Sequence, residues 1–463
     1  MMNRVTKKLM QSWTNLGPRY LPFADAASDK LPLSRLLRLS LFQASAGMAL
    51  VLLVGTLNRV MIVELHVPAS IVSVMISLPI IFAPFRALIG FRSDNHKSAL
   101  GWRRVPYIWM GTLVQFGGLS IMPFALLVLS GAGQSSQAPV WIGWAASGLA
   151  FLLVGAGIHI TQTVGLALAT DLAPEADQPK VVGLMYVMQL LGMIVSALVF
   201  GYALNEFSPG KLIQVIQASA VTTIVLNVIS LWQQEPRTQT EKKPSRDPSF
   251  LDSWRTFAQG GNAMRRLLAV GFGTMAFSMN EVLLEPYGGQ ILGMSVSDTT
   301  MLTAILAIGG LIGFSWASRV LSKGTDPFYM ASIGALVGIP AFILIVLSAP
   351  LLLKPLFLLG TFLIGFGGGL FSHGTLTATM QLAPSDQRGL ALGAWGAVQA
   401  TAAGVAIGLG GIIRDIVVAI GAANWFPEGV IGPATGYSFV YLLEIGLLIT
   451  TIFSMRTLLP KKQ

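Results

Sequence analysis

Apolar segments of roughly 20 residues recur from residue 41 almost to the end of the chain, each long enough to cross a bilayer as a helix. No other feature constrains the fold as tightly. In hydrocarbon every backbone N–H and C=O needs a partner within the protein, so apolar runs of this length fold as helices. Turn signals place the first six spans near 41–63, 69–91, 105–130, 140–169, 180–203 and 212–234. Six more follow near 266–287, 297–318, 327–349, 354–381, 389–413 and 434–457. Between the sets, "QQEPRTQTEKKPSRDPSFLDSW" is polar and proline-rich and reads as a linker. The organisation expected is a leading segment (1–40), a six-helix bundle (41–234), a linker (235–265) and a second six-helix bundle (266–463). The fold class is an all-α polytopic membrane protein.

Composition agrees. Only 11% of the 463 residues are charged and 53% are hydrophobic, too little polar surface for a soluble domain of this length. With no cysteine, disulfides, thiol catalysis and thiolate metal sites are excluded. The net charge of +10 does not point to nucleic acid, because of where the basic residues fall. With both termini inside, 25 of the 30 Lys and Arg lie in cytoplasmic segments, which is the positive-inside pattern. Residues 1–40 hold seven of them and no apolar core, so no cleavable signal peptide is read there. Within "MMNRVTKKLMQSWTNLGPRY", Met2, Val5, Leu9, Trp13 and Leu16 recur at helical spacing beside basic residues. That pattern suits an interfacial helix on an anionic leaflet, or equally a helix that binds a partner.

The two halves resemble each other. "ALIGF" (87–91) recurs as "GLIGF" (310–314), and "DLAP" (171–174) as "QLAP" (381–384), each at matching places in the halves. Two like-oriented six-helix repeats joined by a basic loop resemble the major facilitator superfamily. The loop after span 2, "GFRSDNHKSALGWRR", is similar to the superfamily's G-x-x-x-D-x-x-G-x-R-R, with extra residues in its middle. Its Gly90, Asp94, Gly101, Arg103 and Arg104 are read as a glycine turn and a charge latch at the helix ends; the alternative is a solvated basic loop.

Longer strings resemble one branch of that superfamily, the PucC/LhaA or bacteriochlorophyll delivery family. They are "LPLSRLLRLSLFQASAGMALVLLVGTLNRVMIVEL", "FAPFRALIGFRSDNHKSALGWRRVPYIWMGTLVQFGG" and "GFGTMAFSMNEVLLEPYGGQILG". The resemblance implies an assembly factor for light-harvesting antenna complexes in the photosynthetic intracytoplasmic (inner) membrane of a bacterium. It implies bacteriochlorophyll, and carotenoid, as cargo. Antenna polypeptides or the reaction-centre complex would be its partners, with pigment-biosynthesis or membrane-insertion machinery beside them.

Ionisable groups inside spans are functional candidates because hydrocarbon burial of a charge is costly. Arg59 in span 1 and Glu281 in span 7 lie at similar depth, and the repeat register aligns Glu281 with Asn58. The expectation is a polar network of Asn58, Arg59, Asn280, Glu281 and Glu285 across the halves, with an Arg59–Glu281 pair at its centre. Glu285, before Pro286 in a presumed turn, is expected to reach interfacial water. His159 and His373, on the repeat mates spans 4 and 10, are candidate axial ligands to a pigment magnesium, with nearby glycines leaving room for a flat macrocycle. The alternative is helix-to-helix hydrogen bonding, with the glycines serving close packing. Arg86 is expected to snorkel to the interface or else to meet a carboxylate or a pigment carbonyl. Arg414 and Asp415 are expected to pair, Glu64 and His66 to sit in an outer loop, and Glu444 has no evident partner.

A second function class is a proton-coupled secondary transporter using Glu281 or Glu285. An enzyme is not expected. Prenyl transfer from a diphosphate needs clustered carboxylates for magnesium, and the one D-x-x-x-D pair, Asp25 and Asp29, lies in the leader. "GFGTMA" sits inside a span without a preceding strand, so it is no dinucleotide motif. No metal site of the chain's own is expected.

Overall fold

A computed structural model describes residues 31–82, 86, 89, 92–93, 101–131, 133–174, 177–235, 263–382, 388–422, 432–456 and 458. The leader's expected interfacial helix, Asp25, Asp29, Gly90 and Asp94 lie outside these residues. Among the described residues there is no strand. Eleven helices are long and apolar enough to cross a membrane, and a twelfth, Ala69–Ile80, is shorter.

Three helix starts are legible as side-chain caps. Ser208 caps span 6 (Pro209–Leu231) by accepting from the Lys211 N–H, with proline at the first helical position. Ser295 and Asp298 form a reciprocal capping box at span 8 (Val296–Leu321). Asp326 accepts from the Tyr329 N–H at the head of span 9 (Pro327–Leu351). Span 1 begins earlier than its apolar run, at Leu33. Arg35 lies within this added start, and its guanidinium is satisfied by the Gln234 side chain at 3.1 Å and the Gln234 carbonyl at 2.7 Å. Leu36 and Leu39 then pack with Phe42, Ile108 and Val164.

Glycine sets how closely the helices approach. A Cβ on Gly157 of span 4 (Val140–Leu172) would fall 2.5 Å from the backbone N of Gln115 on span 3 (Val105–Leu129). A Cβ on Gly369 of span 10 (Lys354–Leu382) would fall 2.5 Å from the Gly310 carbonyl on span 8. Small-residue seams of this kind are how helices associate where lipid removes the hydrophobic drive.

Span 2 passes from α (Ala69–Ser77) to 3-10 (Leu78–Phe82), and two repeat mates, spans 1 and 7, are irregular as well. Span 1 runs α over Leu33–Leu39 and Leu41–Leu50, then π-helical over Val51–Leu57 and Val60–Glu64. Span 7 runs α over Ala263–Ser278, 3-10 over Met279–Val282, then α over Leu284–Gln290. "PYGGQ" is therefore helical, not the turn expected from its glycines. The remaining spans are 5 (Gln178–Ala203), 11 (Arg388–Ala422) and 12 (Thr435–Arg456).

Candidate functional site: a gate built on paired helix breaks

A break in a membrane helix frees backbone groups that must find partners inside the protein. At the break in span 7 both kinds of orphan are met by polar side chains from other spans. The Asn280 N–H donates to Glu444 Oε1 of span 12 at 2.7 Å, and the Asn280 amide donates to the same oxygen at 3.0 Å. The freed Val282 carbonyl accepts from Asn58 Nδ2 of span 1 at 3.0 Å. Glu444, without an evident partner in the sequence, is thus the acceptor that makes the break tolerable. Asn58 is its counterpart from the other half.

Around this pair the halves are joined by further polar contacts. The Arg59 guanidinium donates to the Met294 carbonyl at 3.1 Å, and Gly289 leaves it room. The Thr56 and Thr300 hydroxyls lie 3.3 Å apart. Ser297 Oγ donates to the Gly201 carbonyl at 2.7 Å, and Ser73 Oγ to the Gly408 carbonyl at 3.2 Å. Asp415 accepts from the Ser70 N–H at 2.7 Å, placing a carboxylate at the start of the span 2 helix. These six hydrogen bonds are the ones that join the halves among the described residues. All lie toward one end, the end opposite the basic helix termini at Arg104, Lys180, Arg319 and Arg456. One end is gated, and among the described residues no such bond joins the halves toward the basic end.

The expected Arg59–Glu281 pair is not formed. Arg59, 4% exposed, is neutralised by Glu64 at the end of its own span, five residues on. The reach of a guanidinium to the next helical turn made the local acid the nearer partner. Glu281 is half-buried, with Ser278 of its own span beside it. Glu285 does not reach water: it is 4% exposed and accepts from Thr303 Oγ1 of span 8 at 2.9 Å. Because the segment is helical, Glu285 points inward toward span 8, where Gly55 of span 1 leaves space beside it. His66 is exposed beyond the end of span 1, and Arg414 pairs with Asp415 at 2.8 Å.

The glycines near the histidines are used for packing. Gly155 faces Pro79, Gly367 lies against the Gly334 carbonyl and Gly374 against the Pro327 carbonyl. At these glycines a neighbouring helix fills the space, which is the close-packing alternative. His373 is 8% exposed with its ring 4.3 Å from that of Phe314. His159 is half-buried, and its Nδ1 has no hydrogen-bond partner among the described residues.

His159 belongs to a second polar group inside the first half. Gln162 Nε2 donates to Gln43 Oε1 of span 1 at 2.9 Å and to Gln189 Oε1 of span 5 at 3.2 Å. Arg86 does not snorkel outward. Its Nε donates to Thr163 Oγ1 of span 4 at 2.9 Å, and Tyr186 and His159 lie within its electrostatic reach. Tyr186 is eight residues into span 5 and Thr163 nine before the end of span 4. At 1.5 Å per residue the group lies about 12–14 Å from the basic end. Each glutamine is a polar residue amid an apolar run, so all three were legible as exceptions; their convergence was not.

At the basic end Arg104 anchors the latch. It donates to Asp171 Oδ2 at 3.0 and 3.1 Å and to Ser93 Oγ at 2.7 Å. Arg103 lies 3.8 Å from the same carboxylate, and Gly101 takes φ +77°, a backbone region that favours glycine. Glu235 accepts from the backbone N–H groups of Arg103, Arg104 and Val105 at 2.8–3.0 Å, holding the start of span 3. Neither Asp171 nor Glu235 was assigned from sequence. The signal for Asp171 was the "DLAP"/"QLAP" comparison, since the second half lacks both that aspartate and the paired arginines.

The family model for the PUCC protein matches residues 56–463. Protein PucC of Rhodovulum sulfidophilum is 64% identical over 420 residues, covering 90% of this chain and 92% of that protein. Protein PucC of Cereibacter sphaeroides is 56% identical over 459 residues, covering 99% and 98%. In three dimensions the chain is similar to a POT family transporter solved with a thioalcohol conjugated peptide. The TM-score is 0.67 at 13% identity, covering 95% of this chain and all of that one, which establishes the major facilitator fold. By the family match and by two relatives aligned over nearly their whole length, the chain belongs to the PUCC family.

Proposed function

We propose that this protein is a non-enzymatic assembly factor of the photosynthetic membrane, taking up bacteriochlorophyll between its halves and handing it to antenna polypeptides. The observation that carries the reading is the gate. Six polar contacts join the halves at one end of a transporter-like fold, whereas His159, Gln162 and Tyr186, half-buried, lie toward the other end. Membership of the PUCC family supports the antenna setting. The positive-inside pattern makes the basic end cytoplasmic, with both termini on that side. His159 is the better magnesium ligand of the two histidines: it is half-buried, whereas His373 is buried against Phe314. Carotenoid would share the same apolar route.

The test is the absorption spectrum of protein purified in mild detergent from bacteriochlorophyll-containing membranes. Wild type and His373→Ala carry pigment on this account, and His159→Ala loses most of it. A colourless wild type that moves a soluble solute into proteoliposomes supports the second reading, a proton-coupled transporter. One observation favours that reading: Glu285 and Glu444 are buried, and no cation pairs with either among the described residues.

A further inference from the structure

We infer that Arg86 and its neighbours form an oxyanion-binding site in the wall of the first half, for a carboxylate or phosphate group. Arg59, Arg104 and Arg414 each hold a carboxylate, from Glu64, Asp171 and Asp415. Arg86 holds none among the described residues. Its sole hydrogen bond there is the one from Nε to Thr163. An intramembrane arginine without an acid is costly to retain, and such residues mark ligand pathways.

The geometry fits an oxyanion rather than a neutral group. A guanidinium presents five donors in a planar fork and no acceptor. Thr163 fixes Nε and so orients the plane, leaving Nη1 and Nη2 for a bidentate contact with two oxygens. The titratable groups that face it, Tyr186 of span 5 and His159 of span 4, bring no negative charge at neutral pH in their ordinary forms. The Tyr186 hydroxyl is a further donor. Arg86, His159, Thr163 and Tyr186 are all half-buried, so the group is not sealed within the helix packing. Soluble anions and anionic lipid headgroups share this chemistry, and the site lies about 12–14 Å from the basic end.

The site does not depend on pigment binding at His159, and the test separates the two. The full chain is placed in phosphatidylcholine nanodiscs, and its unfolding temperature is followed as inorganic phosphate is added. A second series replaces part of the lipid with phosphatidylglycerol at fixed ionic strength. A wild-type rise with phosphate that weakens about tenfold in apparent affinity in Arg86→Gln identifies a soluble anion. A rise with phosphatidylglycerol alone, lost in the same variant, identifies a headgroup. Thr163→Val, which frees Nε and unfixes the fork, weakens either response and serves if Arg86→Gln does not fold. His159→Ala keeps the response even where it loses pigment. Equal responses in wild type and both site variants, or no response to either probe, overturn the assignment.

Discussion

Asn58→Ala removes the one side chain that, among the described residues, hydrogen-bonds the break in span 7 to the opposite half. Asn58 is fully buried, and its amide reaches the Val282 carbonyl at 3.0 Å. With the gate closed, alanine leaves that carbonyl without a donor; with the gate open, water supplies one. The substitution therefore penalises the closed state alone. An orphaned buried acceptor costs about 1–3 kcal/mol. Alanine also removes Asn58 Oδ1, which is buried without a donor, so the loss falls at about 1–2 kcal/mol. That shifts the closed-to-open ratio by a factor of about 5–30. The absence of native cysteine gives a clean assay. Thr300→Cys places a thiol at the fully buried gate position facing Thr56, where a maleimide reaches it only after opening. With opening fast relative to labelling, the rate follows the open fraction. Adding Asn58→Ala to this reporter raises the labelling rate about 5–30-fold. An unchanged rate in a folded double variant refutes the reasoning.

Three further outcomes follow from the same contacts. Glu444→Gln keeps a carbonyl for the Asn280 N–H and is tolerated, whereas Glu444→Leu orphans it and destabilises by about 1–3 kcal/mol, read as a lowered unfolding temperature. Gly55→Ala puts a methyl 2.6 Å from Thr303 Oγ1 and displaces the donor to Glu285, while Gly117→Ala meets nothing within 4 Å. Only the first should lower thermal stability; equal effects would count against the packing described. Arg104→Gln releases Asp171 and Ser93, costing about 1–3 kcal/mol, and Arg104→Lys fails to restore stability because a point charge cannot reproduce the forked contact. Full rescue by lysine contradicts that account.

The fold was largely legible, because spans, linker and repeat are properties of apolar runs and turn residues. The site was legible only in part. Asn58, Glu281 and Glu285 stood out as polar residues in hydrocarbon, and the repeat register brought Asn58 to the same level as the span 7 break. Partners were not legible, since a helical periodicity is lost where a span turns π-helical or 3-10. One residue of extra winding rotates a side chain by about 100°, enough to turn Glu285 from water toward Thr303. Arg59 was assigned to the distant acid because sequence shows depth but not that Glu64, one turn away, lies within reach. The partner of Glu444, and the role of Glu235, were not legible for a different reason. Both satisfy backbone groups, and the need for an acceptor appears only once the helix break and the helix start are seen in space.

The central claim is a carrier gated at one end and open toward the basic end, with bacteriochlorophyll as the cargo that shifts it. Spin labels at Lys180→Cys and Arg319→Cys report the basic end, and labels at Asn205→Cys and Ser295→Cys report the gated end. Pulsed dipolar spectroscopy on both pairs, before and after adding bacteriochlorophyll, measures the two separations in one preparation. The account predicts a wide basic-end separation and a narrow gated-end separation without pigment, with the basic-end distances shortening when pigment binds. A narrow basic end at the outset, or distributions that pigment leaves unchanged at both ends, contradicts it.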